Sequence, residues 1–163
     1  MREKTTIELV REFHQAFGQQ FDLDPVTPEM DSRERAWLEY AERVLRELAA
    51  ELKARAQGSV PLLRMQLMTE ELGEFAEAML AGDVVEMLDA LTDSQYVLDG
   101  TYLAVGLDDL KDAAFLEVHR SNMAKLDASG RQIIGPSGRV QKPDGWQPPD
   151  LRGVFSSYIL KRT

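Results

Sequence analysis

The sequence predicts an all-α fold, a helical bundle of about five helices with an extended Gly/Pro-rich C-terminal tail. Apolar residues recur at helical spacing in successive segments as far as Leu126. Capping residues and helix breakers separate these segments. Beyond Leu126 the chain is rich in Gly and Pro, which disfavours a long helix. A length of 163 residues suits one domain, so we expect residues 1–163 to form a single all-α domain with the tail, residues 127–163, packed on the helical body.

Two helices are predicted in the first third of the chain. The first covers residues 5–18 and opens with a capping-box pattern between Thr5 and Glu8. The second is long and covers residues 31–57. Its apolar positions lie on one face at helical spacing: Trp37, Ala41, Val44, Leu48 and Leu52.

Three more helices are predicted over residues 62–80, 84–105 and 108–126. Only Ala81, Gly82 and Asp83 join the third helix to the fourth, so these two helices must pack antiparallel. In the tail we expect an extended segment or a small hairpin, with residues 132–134 against residues 139–141 and a turn at residues 136–138.

Composition and charge exclude several classes of protein. The chain has no Cys, so a bound metal would be held by oxygen or imidazole ligands. A formal net charge of −9 disfavours binding to a nucleic-acid duplex. No apolar run is long enough to span a membrane, and the N-terminus lacks the apolar core of a signal peptide. We therefore expect a soluble, cytoplasmic protein that binds neither a membrane nor a duplex.

Six carboxylates that could form one site lie on the predicted third and fourth helices. The fourth helix carries apolar residues nearly all the way round, which predicts that it is buried, and clustered buried carboxylates need protons, basic partners or a metal ion. If the turn centres on Gly82, Glu71 lies opposite Asp93 and Glu74 lies opposite Asp89 or Ala90. An all-oxygen site of this kind suits Mg²⁺, with Mn²⁺ as a substitute. The six residues are Glu70, Glu71, Glu74, Glu86, Asp89 and Asp93.

Structural interpretations of the same residues remain open. The acidic face of the third helix, taken alone, is also typical of a solvated amphipathic helix. Glu86 follows Asp83 by three residues, which is a capping-box spacing, so Glu86 is either a metal ligand or a helix cap. A cap does not explain Asp89 or Asp93, which lie farther along the helix.

These residues resemble a known family, the all-α nucleoside triphosphate pyrophosphohydrolases, which include MazG proteins, dimeric dUTPases and phosphoribosyl-ATP pyrophosphohydrolases. The family pattern stands here as Glu70-Glu71-Leu-Gly-Glu74 followed by Glu86-Met-Leu-Asp89. A closer resemblance is to the MazG-like branch, one part of which looks like dUTPases, and it extends over the segments 10–18, 64–74, 89–106 and 117–125. Residues 31–57 carry no recognisable motif, and the separation between Glu74 and Glu86 is short for the family.

The resemblance implies a set of roles. Glu71, Glu74, Glu86 and Asp89 would be Mg²⁺ ligands, and Asp93 would be an additional ligand or would support one. Glu70 would orient or deprotonate a water molecule that attacks the phosphorus next to the nucleoside and releases pyrophosphate.

Substrate-binding residues are expected mainly on and after the fifth helix, where residues 119–142 carry a local positive charge. The resemblance of the segment EVHRSNMAK favours Asn122 and Lys125, although a solvated basic surface is the alternative. His119 and Tyr96 can equally be core residues, as far as the sequence goes. The expected set is Asn122, Lys125, His119, Tyr96 and Arg139.

Three functions remain open on the sequence alone. The first is a pyrophosphohydrolase that acts on a deoxynucleotide, with dUTP as the preferred substrate. The second is phosphoribosyl-ATP pyrophosphohydrolase of histidine biosynthesis, and the third is a non-catalytic helical interaction module. The resemblance also implies a homodimer or a dimer of dimers, with residues 31–57 near the interface.

Overall fold

The computed structural model describes residues 2–19, 21–135 and 139–162 and is all-α, as predicted. Six α-helices occur in these ranges, with no strand among them. None of the helices in the described ranges combines the length and the apolar run that crossing a bilayer requires. The bounds are α1 Thr6–Ala16, α2 Ser32–Arg55, α3 Val60–Ala81, α4 Val84–Ala104, α5 Lys111–Met123 and α6 Leu151–Arg162, with a 3₁₀ turn at Asp108–Leu110.

The contacts divide the chain into two compact units. One unit runs from Asp22 to Asp108 and contains α2, α3 and α4. The other combines the residues up to Phe21 with those from Asp109 onward and contains α1, α5 and α6. The single domain over residues 1–163 stays a prediction.

In the unit of α2, α3 and α4, α3 packs against α2 on one side and against α4 on the other. Gly73 lies buried where α3 meets α2, and an added Cβ there would lie 3.7 Å from the Leu45 Cβ. The turn between α3 and α4 is closed by Gly82 in the left-handed conformation, with φ of 69°. The Asp83 N–H donates back to the Ala78 carbonyl at 3.0 Å, which completes a Schellman-type end and reverses the chain. The predicted antiparallel hairpin of α3 and α4 is therefore present.

The prediction that α4 is buried in the bundle is wrong for the single chain. Its buried residues are Met87, Ala90 and Val97, whereas Val85 and Leu88 are 71% and 66% exposed. The reason is that α4 has its extensive packing with α3 among the helices of its unit. The apolar residues on its other sides are left without cover from that unit.

In the other unit, α5 packs against α1 and α6. The predicted capping box at Thr5 and Glu8 is present, and the Thr5 N–H donates to the Glu8 carboxylate at 2.7 Å. Part of the predicted hairpin is also present as an antiparallel bridge between Ile134 and Val140. Its predicted turn at residues 136–138 lies outside the described residues.

Two features of the tail differ from the prediction or extend it. Helix α6 was not predicted, since the tail was expected to be extended. Asp150 caps it by accepting a hydrogen bond from the Gly153 N–H at 2.8 Å. Trp146 anchors the preceding segment, because its Nε1–H donates to the Ser121 carbonyl of α5 at 2.8 Å.

Candidate metal and active site

All six predicted carboxylates lie on the antiparallel pair α3 and α4. Because the helices reverse at Gly82, residues equally distant from Gly82 along the two helices lie at the same level. Glu71 on α3 is thus level with Asp93 on α4, and Glu74 is level with the buried Ala90. The three carboxylates of α3 are Glu70, Glu71 and Glu74, and those of α4 are Glu86, Asp89 and Asp93.

The carboxylates of the two helices repel one another. The pKa of Glu71 is raised first by burial and then by the negative charges of Glu74, Asp93, Glu70 and Asp89, in that order. The pKa of Glu74 is raised by burial and by the charges of Glu70, Asp93 and Asp89, with a smaller contribution from Glu77. The structure therefore brings five of the predicted residues into one electrostatic cluster, and Asp93 acts on both Glu71 and Glu74 more strongly than Asp89 does.

Glu71 is the member of this cluster with a buried carboxylate oxygen that lacks a partner in the described part of the chain. This oxygen is the Oε2 atom. A buried carboxylate oxygen without a donor costs free energy, and a cation would relieve both this cost and the repulsion from its neighbours.

Glu86 lies at the edge of the cluster. Together with Glu74 and Asp89 it lines a groove of about 450 Å³ beside the turn between the helices. Asp83 caps α4 by accepting from the Val85 and Glu86 N–H groups at 2.9 and 3.2 Å. The return bond of a capping box is not formed, because the Asp83 N–H is used by the Schellman-type bond to Ala78. The Glu86 carboxylate is therefore not engaged in capping α4.

Glu70 is held by two neighbours that the sequence did not single out. The Gln66 side chain, 4% exposed, donates from Nε2 to the Glu70 Oε2 atom one helical turn away. The Lys53 ammonium of α2 lies 3.4 Å from the other oxygen, Oε1. The spacing of Gln66 and Glu70 by four residues is the one clue to this pair in the sequence. The contact of Lys53 depends on how α2 packs against α3, which the sequence does not reveal.

Helix α2 also contributes a cavity. It has a volume of about 270 Å³ and lies between α2 and α3. Arg46 and Lys53 line it from α2, opposite Glu70, Glu74 and Glu77. Arg46 is already engaged by two carboxylates, those of Glu42 and Glu77, at 2.6 and 2.8 Å.

The residues fit a hard divalent cation in their chemistry. They supply oxygen ligands alone, and the unpartnered Glu71 oxygen and the mutual repulsion both favour a bound positive charge. In the described part of the chain, no three Asp, Glu or His side chains stand close enough together to hold an ion as they are oriented. Binding a cation would therefore require these side chains to rotate, and four of them are exposed: Glu74, Glu86, Asp89 and Asp93.

The predicted substrate-binding residues are divided between the two units. Tyr96 is on α4 and is 80% exposed, so it is not a core residue of the single chain. Asn122 and Lys125 lie in the other unit, where the Lys125 ammonium donates to the Asn122 Oδ1 at 2.8 Å. His119 of α5 lies 3.8 Å from the Glu12 carboxylate, and Arg139 is exposed in the bridge segment. Their part in substrate binding stays a prediction.

Comparison with known proteins adds one match. Residues 42–122 match the family described as phosphoribosyl-ATP pyrophosphohydrolase. This range contains all six carboxylates and, on α5, His119 and Asn122, but it ends before Lys125 and Arg139. No curated protein matches the chain.

Proposed function

We propose that the chain hydrolyses a nucleoside triphosphate to the monophosphate and pyrophosphate, because residues 42–122 match the family described as phosphoribosyl-ATP pyrophosphohydrolase. The observation that carries this proposal is the cluster of repelling carboxylates on α3 and α4 around the unpartnered Glu71 oxygen. A purely structural role gives no reason to keep so many like charges together.

In the proposed reaction, water attacks the phosphorus next to the nucleoside. The bond from that phosphorus to the bridging oxygen breaks, and pyrophosphate leaves with the oxygen. Glu70 accepts the proton of the attacking water, and its orientation is supported by the donors Gln66 and Lys53. The residues that would hold Mg²⁺ are Glu71, Glu74, Glu86 and Asp89. Asp93 would be an additional ligand or would support one. The bound cation would supply positive charge against the charge that builds up on the phosphates.

The preferred substrate in this proposal is dUTP, on the basis of the resemblance to MazG-like dUTPases described above. A second candidate is phosphoribosyl-ATP, which the description of the matching family favours. Both reactions release pyrophosphate from the same kind of triphosphate, so the two candidates differ in the base and sugar that are recognised.

The experiment is to measure pyrophosphate release from a panel of dNTPs, NTPs and phosphoribosyl-ATP, with Mg²⁺ and with a chelator. We expect turnover that requires Mg²⁺ and is lost in the Glu71→Gln variant, with dUTP hydrolysed fastest. Fastest turnover of phosphoribosyl-ATP would select the second candidate. An absence of turnover on the whole panel would overturn the proposal and favour a helical interaction module.

We also propose a homodimer, alone or as a dimer of dimers, with α2 near the interface. The support is that α2 and α4 expose large apolar side chains in their unit, among them Trp37 and Leu88. Light scattering at micromolar concentration should give twice the mass of the chain, or four times that mass for a dimer of dimers, and a monomer would contradict this proposal.

A further inference from the structure

Arg64 is the single basic residue on the helix pair that carries the carboxylates. Between Val60 and Ala104 the sequence contains nine Asp and Glu residues, and Arg64 is the one Lys or Arg among them. It was not among the substrate-binding residues predicted from the sequence. Its surroundings show that it does not serve to neutralise the cluster.

The Arg64 side chain is half-buried, and its Nε atom is buried without a hydrogen-bond partner among the described residues. No ion pair of Arg64 with any of the nine carboxylates is present in the described residues. A buried guanidinium donor without an acceptor costs free energy, and a shift of the half-buried side chain toward an anion would supply the missing acceptor.

Gly100 of α4 makes the room for this guanidinium. A Cβ added at Gly100 would lie 3.0 Å from the Arg64 Nη1 atom, which is tighter than ordinary van der Waals contact. Gly in the interior of a helix is unfavourable relative to Ala, so its presence here has a local cost that the fit to Arg64 explains.

The position of Arg64 relative to the carboxylates follows from the helix register. Arg64 precedes Glu71 by seven residues, which places both on one stripe of α3 about 10 Å apart along the axis. Gly100 follows Asp93 by seven residues on α4, so the contact of Arg64 with Gly100 lies two helical turns beyond the level of Glu71 and Asp93. The guanidinium thus lies beyond the levels of Glu71 and Asp93, toward the end of the helix pair that is farther from the Gly82 turn.

We propose that Arg64 binds a phosphate oxyanion of the substrate, and of the product that retains this phosphate, while the carboxylates of α3 and α4 engage the substrate through divalent cations. A guanidinium forms paired hydrogen bonds with phosphate oxygens, which Lys cannot reproduce. This inference rests on the proposed function, because it takes the ligand to be a substrate or product of that reaction.

The test is titration calorimetry of Mg²⁺-pyrophosphate, and separately of the nucleoside monophosphate, with the wild type and with four variants. Arg64→Met removes the charge, and Arg64→Lys keeps the charge without the paired donors. Gly100→Ala displaces the guanidinium from the opposite helix. Arg43→Met is the matched control, since Arg43 is an exposed arginine of α2 that lies over the Tyr40 ring.

We expect Arg64→Met to bind one of the two products about 10- to 100-fold more weakly, with Arg64→Lys intermediate. The affected product tells which phosphate the guanidinium contacts. Gly100→Ala should weaken the binding of the same product, although Ala is more favourable than Gly in a helix. Arg43→Met should bind both products as the wild type does.

Unchanged affinity for both products in Arg64→Met and Gly100→Ala would overturn the inference. If the particle mass fell at the same time, Arg64 would instead belong to an interface between copies of the chain. A wild type that hydrolyses triphosphates while Arg64→Met binds products normally would refute this inference alone. A wild type that neither turns over nor binds these ligands would refute the proposed function as well.

Discussion

Replacing Glu71 with Met should change the stability of the protein in opposite directions without and with Mg²⁺. In metal-free buffer the wild type keeps a buried Glu71 oxygen without a donor, next to four other carboxylates. Removal of an unsatisfied buried polar group restores about 1–3 kcal/mol. For a chain of this size, that gain corresponds to a rise in Tm of about 2–4 °C for each kcal/mol.

Mg²⁺ adds stability to the form that binds it. At a free concentration of about 1,000 times Kd, a ligand stabilises the folded state by about 4 kcal/mol. The wild type receives this stabilisation, whereas a variant that has lost a ligand receives less. We therefore expect Glu71→Met to melt above the wild type in a chelator and below it in saturating Mg²⁺.

The assay is thermal unfolding followed by circular dichroism, at a series of Mg²⁺ concentrations and with a chelator. Glu47→Met is the control, because Glu47 is an exposed residue of α2 and its replacement should change stability by no more than about 0.5 kcal/mol. A Glu71→Met variant that melts below the wild type in the chelator would show that Glu71 stabilises the fold itself. A wild-type Tm that does not respond to Mg²⁺ would refute the account of the site.

Three further predictions concern other parts of the structure. Gln66→Met should lower kcat about 10-fold or more with little change in KM, because Glu70 loses a donor that orients it. Thr69→Val, which removes an equally buried polar group bonded to the backbone, should leave kcat unchanged in steady-state assays. Gly73→Ala should raise the free energy of unfolding by about 0.5–1 kcal/mol in urea titrations, since its Cβ would meet the Leu45 Cβ at an ordinary distance of 3.7 Å. The hydrogen bond from Arg120 and the one from the Asp150 N–H lower the pKa of Glu117 from its ordinary value of 4.5 to about 2. Its contribution to stability is therefore present above pH 4.5 and is lost as the pH falls toward about 2. The difference in Tm between the wild type and Glu117→Gln should therefore shrink over that range.

Each of these predictions has an outcome that contradicts it. A normal kcat in Gln66→Met, or an equal loss in Thr69→Val, would remove the positioning role of Gln66. A destabilised Gly73→Ala variant would show that the packing of α2 against α3 leaves no room for a methyl group. A difference in Tm that persists at the lowest pH would mean that Glu117 stabilises the fold through contacts independent of its charge.

The helices and the grouping of the carboxylates were predictable from local patterns. Apolar spacing and capping residues located α1 to α5, and the short link around Gly82 required α3 and α4 to pair. Helix α6 was missed because contacts with residues distant along the chain help to stabilise it. Its first turn is tied to α5 through the hydrogen bond from the Asp150 N–H to the Glu117 carboxylate at 2.7 Å.

The prediction that α4 is buried was wrong for a physical reason. An apolar sequence shows that a helix needs cover, but it does not show whether that cover comes from the same unit. Contacts between residues distant along the chain likewise could not be predicted from the sequence. Lys53 meets Glu70 and Arg64 meets Gly100 because of the register between helices, which single-chain periodicity does not determine.

The most direct measurement of the central claim is anomalous diffraction from crystals soaked in a manganese salt. The account predicts a manganese peak between α3 and α4 at coordination distance, about 2.1 Å, from carboxylate oxygens that include those of Glu71 and Glu74. Carboxylates that point into solvent with no peak between the two helices would contradict it.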